Sequence, residues 1–129
     1  MQSEELVEKI ERVVEELISL NTAIPVIVEG ESDVRALRKL GLSGEIISIN
    51  TGQSIFNFCE ELSQKHDEVI ILTDWDRKGG HLGKLITEGL KANGVKFNIQ
   101  IRAKLAAYCR KETKDVEGLV ACMHRLKNI

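Results

Sequence analysis

At 129 residues, with 43% hydrophobic and 29% charged side chains, the chain has the makeup of one ordinary soluble globular domain with room for a hydrophobic core. No apolar run approaches the roughly 18–20 residues that span a bilayer, and the acidic start Met1-Gln2-Ser3-Glu4-Glu5 opens a helix and not a secretion signal. The net charge is −2, and three cysteines (Cys59, Cys109, Cys122) without a C-x-x-C pair exclude a zinc site or disulfide framework, indicating reduced thiols in a cytoplasmic protein.

Ser3 is placed to cap a helix over 4–20, with acids in its first turn and Leu6, Ile10, Val13 and Leu17 on one face. Asn21 and Thr22 end it. Residues 24–28 read as a buried strand, with Pro25 near its start where a missing N–H is tolerated. A short helix runs from Ser32 or Asp33 to Leu40, closed by Gly41. Residues 45–49 form a second strand. Gly52-Gln53-Ser54 is a loop and cap, followed by a helix to Lys65 with Ile55, Phe58, Cys59 and Leu62 inward. The third and most hydrophobic strand covers 69–73. A helix from about 80 to 92 carries Leu82, Leu85, Ile86 and Leu90 and stops at Asn93-Gly94. Residues 95–101 alternate as a fourth strand, and 104–127 form one or two helices with a break near 113–115.

Strands alternating with helices at this spacing predict an α/β fold: a four-stranded parallel sheet with helices on both faces, in a single domain over 1–129 with its core at about 24–102. If strands 2 and 3 flank strand 1, right-handed crossovers give the order 2-1-3-4. The reversal between strands 1 and 3 then opens a crevice at their carboxyl ends, where ligands bind in such sheets.

Two acidic clusters follow those strands: Glu29-Gly30-Glu31-Ser32-Asp33 and Asp74-Trp75-Asp76-Arg77-Lys78-Gly79. Asp74 and Asp76, two apart, share a face in an extended chain. Crowded carboxylates repel one another and so imply a bound cation. Hard oxygen donors without imidazole or thiolate select Mg²⁺, with Mn²⁺ as the substitute, on Glu29, Asp74 and Asp76. The bland reading of Glu29 is a surface carboxylate capping the next helix. Asp33 is either satisfied by the helix dipole or an outer-shell partner. Arg77 and Lys78 either neutralise a phosphate at the neighbouring helix N-terminus or are solvated. His81 reads as ordinary, and Trp75 as packing against the sheet edge before stacking on a base.

The modest net charge hides an asymmetry. Residues 1–33 hold nine acids against two bases, while 96–114 hold six bases against the single Glu112. The basic segment suits a phosphate backbone, although a solvated helix face explains the same counts. The acidic N-terminal helix suits a protein partner.

Glu29-Gly30-x-x-Asp33 with Asp74-x-Asp76-x-x-Gly79 resembles the TOPRIM domain of topoisomerases, bacterial-type primases, some recombination proteins, overcoming-lysogenization-type nucleases and the ribonuclease that matures 5S ribosomal RNA. The resemblance covers about 24–102, as in a small stand-alone TOPRIM protein. It implies Mg²⁺-dependent phosphodiester hydrolysis or transfer on RNA or DNA, with Glu29 as general acid/base and Asp74 and Asp76 on the metal. Arg102, Lys104, Arg110 and Lys111 would hold the strand. Two departures stand out. Tyr108 is the only tyrosine and has no predicted place near the site, and Gly80-His81 replaces an acidic residue that often follows the second motif. A non-catalytic, metal-dependent nucleic-acid-binding module of a larger complex would need the same ligands. A haloacid-dehalogenase-type phosphatase fits less well, since Lys78 stands where its motif has Thr. A receiver domain wants a separate phosphorylated Asp and a late Lys, which do not stand out.

Overall fold

The computed structural model describes residues 3–49 and 52–127. Met1 and Gln2 of the acidic start, and the side chain of Ser3 expected to cap the first helix, lie outside that description. The elements in order are α1 (Ser3–Asn21), β1 (Val26–Val28), α2 (Glu31–Leu40), β2 (Ile46–Ser48), α3 (Ile55–Lys65), β3 (Glu68–Ile71), α4 (Arg77–Ala92), β4 (Lys96–Asn98), α5 (Gln100–Cys109) and α6 (Leu119–Lys127). The four strands pair in parallel in the order β2-β1-β3-β4. The α/β architecture and strand order are those expected from the alternation of elements.

Strand periodicity sorts the core into two layers. Val26 and Val28 of β1, with Ile70 and Leu72 at β3, pack under α1, α2, α5 and α6 through Ile10, Leu17, Leu37, Leu105 and Leu119. Ile27, Val69 and Ile71 face the other way, against Phe58 and Leu62 of α3 and Ile86 and Leu90 of α4. Both central strands are thus buried on both faces, and a polar residue at their tips is held by a rigid frame. Asn21 secures the β1–β2 side from within: its amide donates to the carbonyls of Ile24 (3.0 Å) and Glu45 (2.9 Å) and accepts from the Gly44 N–H (2.9 Å). Among the described residues no helix is long and apolar enough to cross a membrane, and all three cysteines are buried and free.

Several boundaries differ from expectation: β1 begins at Val26 and β3 ends at Ile71, and three others shift through side-chain hydrogen bonds at helix starts. The fourth strand stops at Asn98 and not Ile101, because Asn98 Oδ1 accepts from the N–H groups of Gln100 (3.0 Å) and Ile101 (3.2 Å) and turns the chain into α5. Helix α4 begins at Arg77, three residues early, because Asp76 is its N-cap. Helix α2 begins at Glu31, with the Asp33 carboxylate accepting from the Gly30 N–H at 3.1 Å. The break in the C-terminal segment falls between Cys109 and Leu119, wider than the predicted one.

Candidate metal centre

Adjacent strands β1 and β3 end on the same side of the sheet, and their acidic tips touch. Glu29 Oε2 accepts a hydrogen bond from the Asp74 N–H at 2.8 Å, tying the two motifs across 45 residues of sequence. Gly79 is what lets them close. A Cβ there would collide with the Asp74 carbonyl and lie 2.9 Å from Glu29 Oε2. The Thr73 hydroxyl donates to the Gly79 carbonyl at 2.8 Å, which fixes the start of α4 against β3.

The result is an open cleft of about 710 Å³, lined by Glu29, Asp33, Asp74, Asp115 and Glu117, with Lys78 as its lining cation and Ile49 and Leu82 as apolar wall. The electrostatic cost of this grouping shows at Asp74. Burial, and then the nearby charges of Asp33, Glu29 and Asp115, push its carboxyl up to about 7 against the hydrogen bond it accepts from the Val116 N–H at 3.0 Å. Asp33 is raised for the same first reason, burial, with Glu29, Glu117 and Asp115 adding to it and the Gly30 N–H opposing.

The residues expected to form the site are distributed unevenly. Glu29 and Asp74 meet. Asp33 is buried behind them as the reciprocal partner of Gly30 in the α2 cap. Asp76 is exposed, its Oδ1 accepting from the Gly79 N–H at 2.6 Å. The motif therefore does not run on as the extended segment that would put Asp74 and Asp76 on one face; it turns at Asp76 into a helix. Arg77 and Lys78 are exposed on the first turn of α4.

The expected strand-holding bases also divide. Arg102 turns inward, donating from Nε to the Thr73 carbonyl (2.9 Å) and from Nη2 to the Asp74 carbonyl (2.8 Å). Burial lowers its pKa, while Glu29, Asp76 and Asp74 act in the opposite sense. Lys104 pairs with Glu16 of α1 at 3.2 Å, whereas Arg110 and Lys111 are exposed at the end of α5. Trp75 packs on the core layer and donates its indole N–H to the Thr113 carbonyl at 2.7 Å. Tyr108 lies under the ammonium of Lys9 on the α1 side. His81 is exposed.

Asp115 and Glu117 were not anticipated. Their signal was slight: two acids just after the basic run, the first of them at the edge of the segment predicted to break the last helix.

Among the described residues no group of three or more His, Cys, Asp or Glu side chains is arranged to hold a metal ion by itself. The donor chemistry nevertheless fits a hard divalent cation, because several carboxylates line one cleft and one of them is raised by burial and then by its acidic neighbours. Mg²⁺ commonly keeps several waters and takes only one or two carboxylates, so an incomplete protein shell suits it.

A family model described as the Toprim domain matches residues 25–105. A UPF0292 protein of Methanocaldococcus jannaschii is 38% identical over 97% of this chain and 98% of its own length. One from Methanosarcina barkeri is 39% identical over 93% of this chain and 84% of its own length. One from Thermoplasma volcanium reaches 56% identity over 63% of this chain and 68% of its own. Among solved structures, a putative protein from Aquifex aeolicus superposes with a TM-score of 0.70 at 24% identity, covering 82% of this chain and 94% of that one, which shows a shared fold.

Proposed function

The chain belongs to the Toprim family, among proteins of the UPF0292 group, and from that premise we propose that its acidic cleft holds Mg²⁺ or Mn²⁺ and acts on a phosphodiester of RNA or DNA. Toprim domains typically bind divalent metal, and membership points to a metal-dependent function connected with nucleic acid. The carrying observation is the junction of the two motifs, with the Glu29 carboxylate on the Asp74 N–H and both side chains lining one cleft.

Asp74 is the first ligand in this reading, and Glu29 reaches the ion through one of the waters that complete the shell. Asp76 is not among the residues lining the cleft, and with Oδ1 on the Gly79 N–H it reaches the ion through its other oxygen or a water. The bound cation would supply charge neutralisation at the phosphate oxygens. Glu29 commits one oxygen to the Asp74 N–H, leaving Oε1 to take or give a proton at the attacking or leaving oxygen. Lys78 at the cleft edge offsets phosphate charge. Arg102 holds the carbonyls of Thr73 and Asp74 and keeps the strand tip rigid. Arg110 and Lys111, exposed near the 113–118 segment, are the bases free to meet a nucleic-acid backbone. The buried free thiols support a cytoplasmic setting, and the exposed glutamates of α1 offer a surface for a protein partner.

The second reading, a metal-dependent binding module without turnover, is favoured by the hydrogen bond that already engages Glu29. The test is incubation of the protein with labelled single-stranded, duplex and structured RNA and DNA, with and without Mg²⁺ or Mn²⁺. Metal-dependent cleavage is expected in wild type, lost in Asp74→Asn and reduced about 100-fold or more in Glu29→Gln. Binding should weaken with salt and with charge reversal at Arg110 and Lys111. Salt-sensitive binding with no cleavage would establish the binding module; cleavage undiminished in Glu29→Gln would remove the acid/base assignment.

A further inference from the structure

The segment Thr113–Gly118 lies beyond the 25–105 region that the family model matches, yet it grips the second acidic motif at three points. The Trp75 N–H donates to the Lys114 carbonyl at 2.7 Å, and the Trp75 indole donates to the Thr113 carbonyl at 2.7 Å. In return, the Val116 N–H donates to Asp74 Oδ1 at 3.0 Å.

The segment is also braced from within. Asp115 Oδ1 accepts from the Gly118 N–H at 2.7 Å and from the Thr113 hydroxyl at 3.2 Å, and a Cβ on Gly118 would collide with Thr113 Oγ1. Val116 is fully buried in the α1–α6 core layer, which anchors the turn in depth. A connection serving only to join two helices would leave such groups to water. Here an N–H is aimed at one oxygen of the carboxylate that lines the cleft, leaving the other for a ligand.

We propose that the Thr113–Gly118 turn is the positioning element of the metal site: Val116 N–H fixes the Asp74 side chain, Trp75 anchors the turn to the motif, and Asp115 holds it in shape. This rests on the metal reading above. Partners of this kind, which orient a ligand without touching the ion, are worth about 10–100-fold in metal affinity.

The experiment uses the full chain, ¹⁵N-labelled, with Mg²⁺ alone as probe. Without metal, Asp74→Asn should move the Val116 amide resonance and speed its hydrogen exchange, because an amide oxygen accepts more weakly than a carboxylate. With metal, Asp115→Asn and Asp115→Ala both remove the Asp115 charge, but only Asn keeps an acceptor for Gly118. The Ala variant should therefore bind Mg²⁺ about 10-fold more weakly than the Asn variant, with Val116 exchange accelerated. Trp75→Phe, which changes no charge, should weaken Mg²⁺ in the same direction and serves if Asp115→Ala does not fold. Equal Mg²⁺ affinity in the two Asp115 variants despite faster Val116 exchange, or wild-type affinity in Trp75→Phe, would overturn the proposal. So would a Val116 amide indifferent to Asp74→Asn. If wild type gives no Mg²⁺ response, the metal reading falls, and the metal-free arm still decides whether the turn holds Asp74.

Discussion

Two regions of this molecule are rich in carboxylates, and they sit in opposite physical situations. Along α1, Glu4, Glu5, Glu8 and Glu15 are exposed to water, spread over a helix whose other face is core. In the cleft, Glu29, Asp33, Asp74 and Asp115 come from three separate stretches of chain and share one recess. Solvated charges cost little, while gathered and desolvated ones oppose folding unless something offsets them. The densest acidity in the sequence therefore marks the less informative region. What distinguishes the site is carboxylates brought together against their own repulsion.

The largest effect expected from that contrast is a pH dependence. Asp74 stands near 7 in the folded chain against an ordinary 3.8, so the folded state holds a proton that the unfolded chain releases. The contribution of this group to stability without divalent metal should be full below about pH 4 and be lost as the pH rises through about 7, by less than about 4 kcal/mol because solvent screens a half-exposed carboxyl. Asp33, raised in the same direction, adds to the fall. Thermal melts from pH 4 to 8 check this. Asp74→Asn should flatten the profile, and saturating Mg²⁺ at pH 8 should recover about 2–3 kcal/mol at 100 times its dissociation constant. A profile equally steep in Asp74→Asn would place the linkage elsewhere.

Next in size is the wall of the cleft. Gly79→Ala pushes a methyl into the Asp74 carbonyl and toward Glu29, and should cost about 2–4 kcal/mol by denaturant unfolding. Gly80→Ala, whose Cβ meets only Arg102 Nη2 at 3.7 Å, should be neutral or slightly stabilising. Arg102→Lys loses the forked grip on the Thr73 and Asp74 carbonyls and should cost about 1–2 kcal/mol. Smallest of all, Glu8→Gln with Glu15→Gln on α1 should change stability by less than about 0.5 kcal/mol and leave the Mg²⁺ response untouched. A loss of that response in the α1 variant would dissolve the distinction between the two regions.

How much of this the sequence carries follows from how local each signal is. The strand order rests on short apolar runs alternating with amphipathic helices and on the handedness of crossovers, so it could be read directly. The meeting of Glu29 with Asp74 was legible too, since both sit at tips of strands that the topology makes neighbours. The helix-capping role of Asp76 was obscured by Gly79-Gly80. Paired glycines depress helix propensity and pushed the expected start of α4 past the residue that caps it. Asn98 hid the start of α5 in the same way, since a pattern of alternation does not show a side chain turning back on the N–H groups ahead of it. Arg102, Asp115 and Val116 act through contacts with residues 28 to 42 positions away or across the cleft, and no spacing rule connects them to the motif.

A divalent ion held in the cleft and one held along the acidic helix are separated by paramagnetic Mn²⁺. Substoichiometric Mn²⁺ added to the ¹⁵N-labelled protein broadens the amides nearest the ion. With the ion in the cleft, Gly30, Asp74, Gly79 and Val116 broaden first while Glu8 and Glu15 stay sharp, and Asp74→Asn abolishes the selective loss. Broadening that begins along α1, or that survives unchanged in Asp74→Asn, would contradict a cleft site.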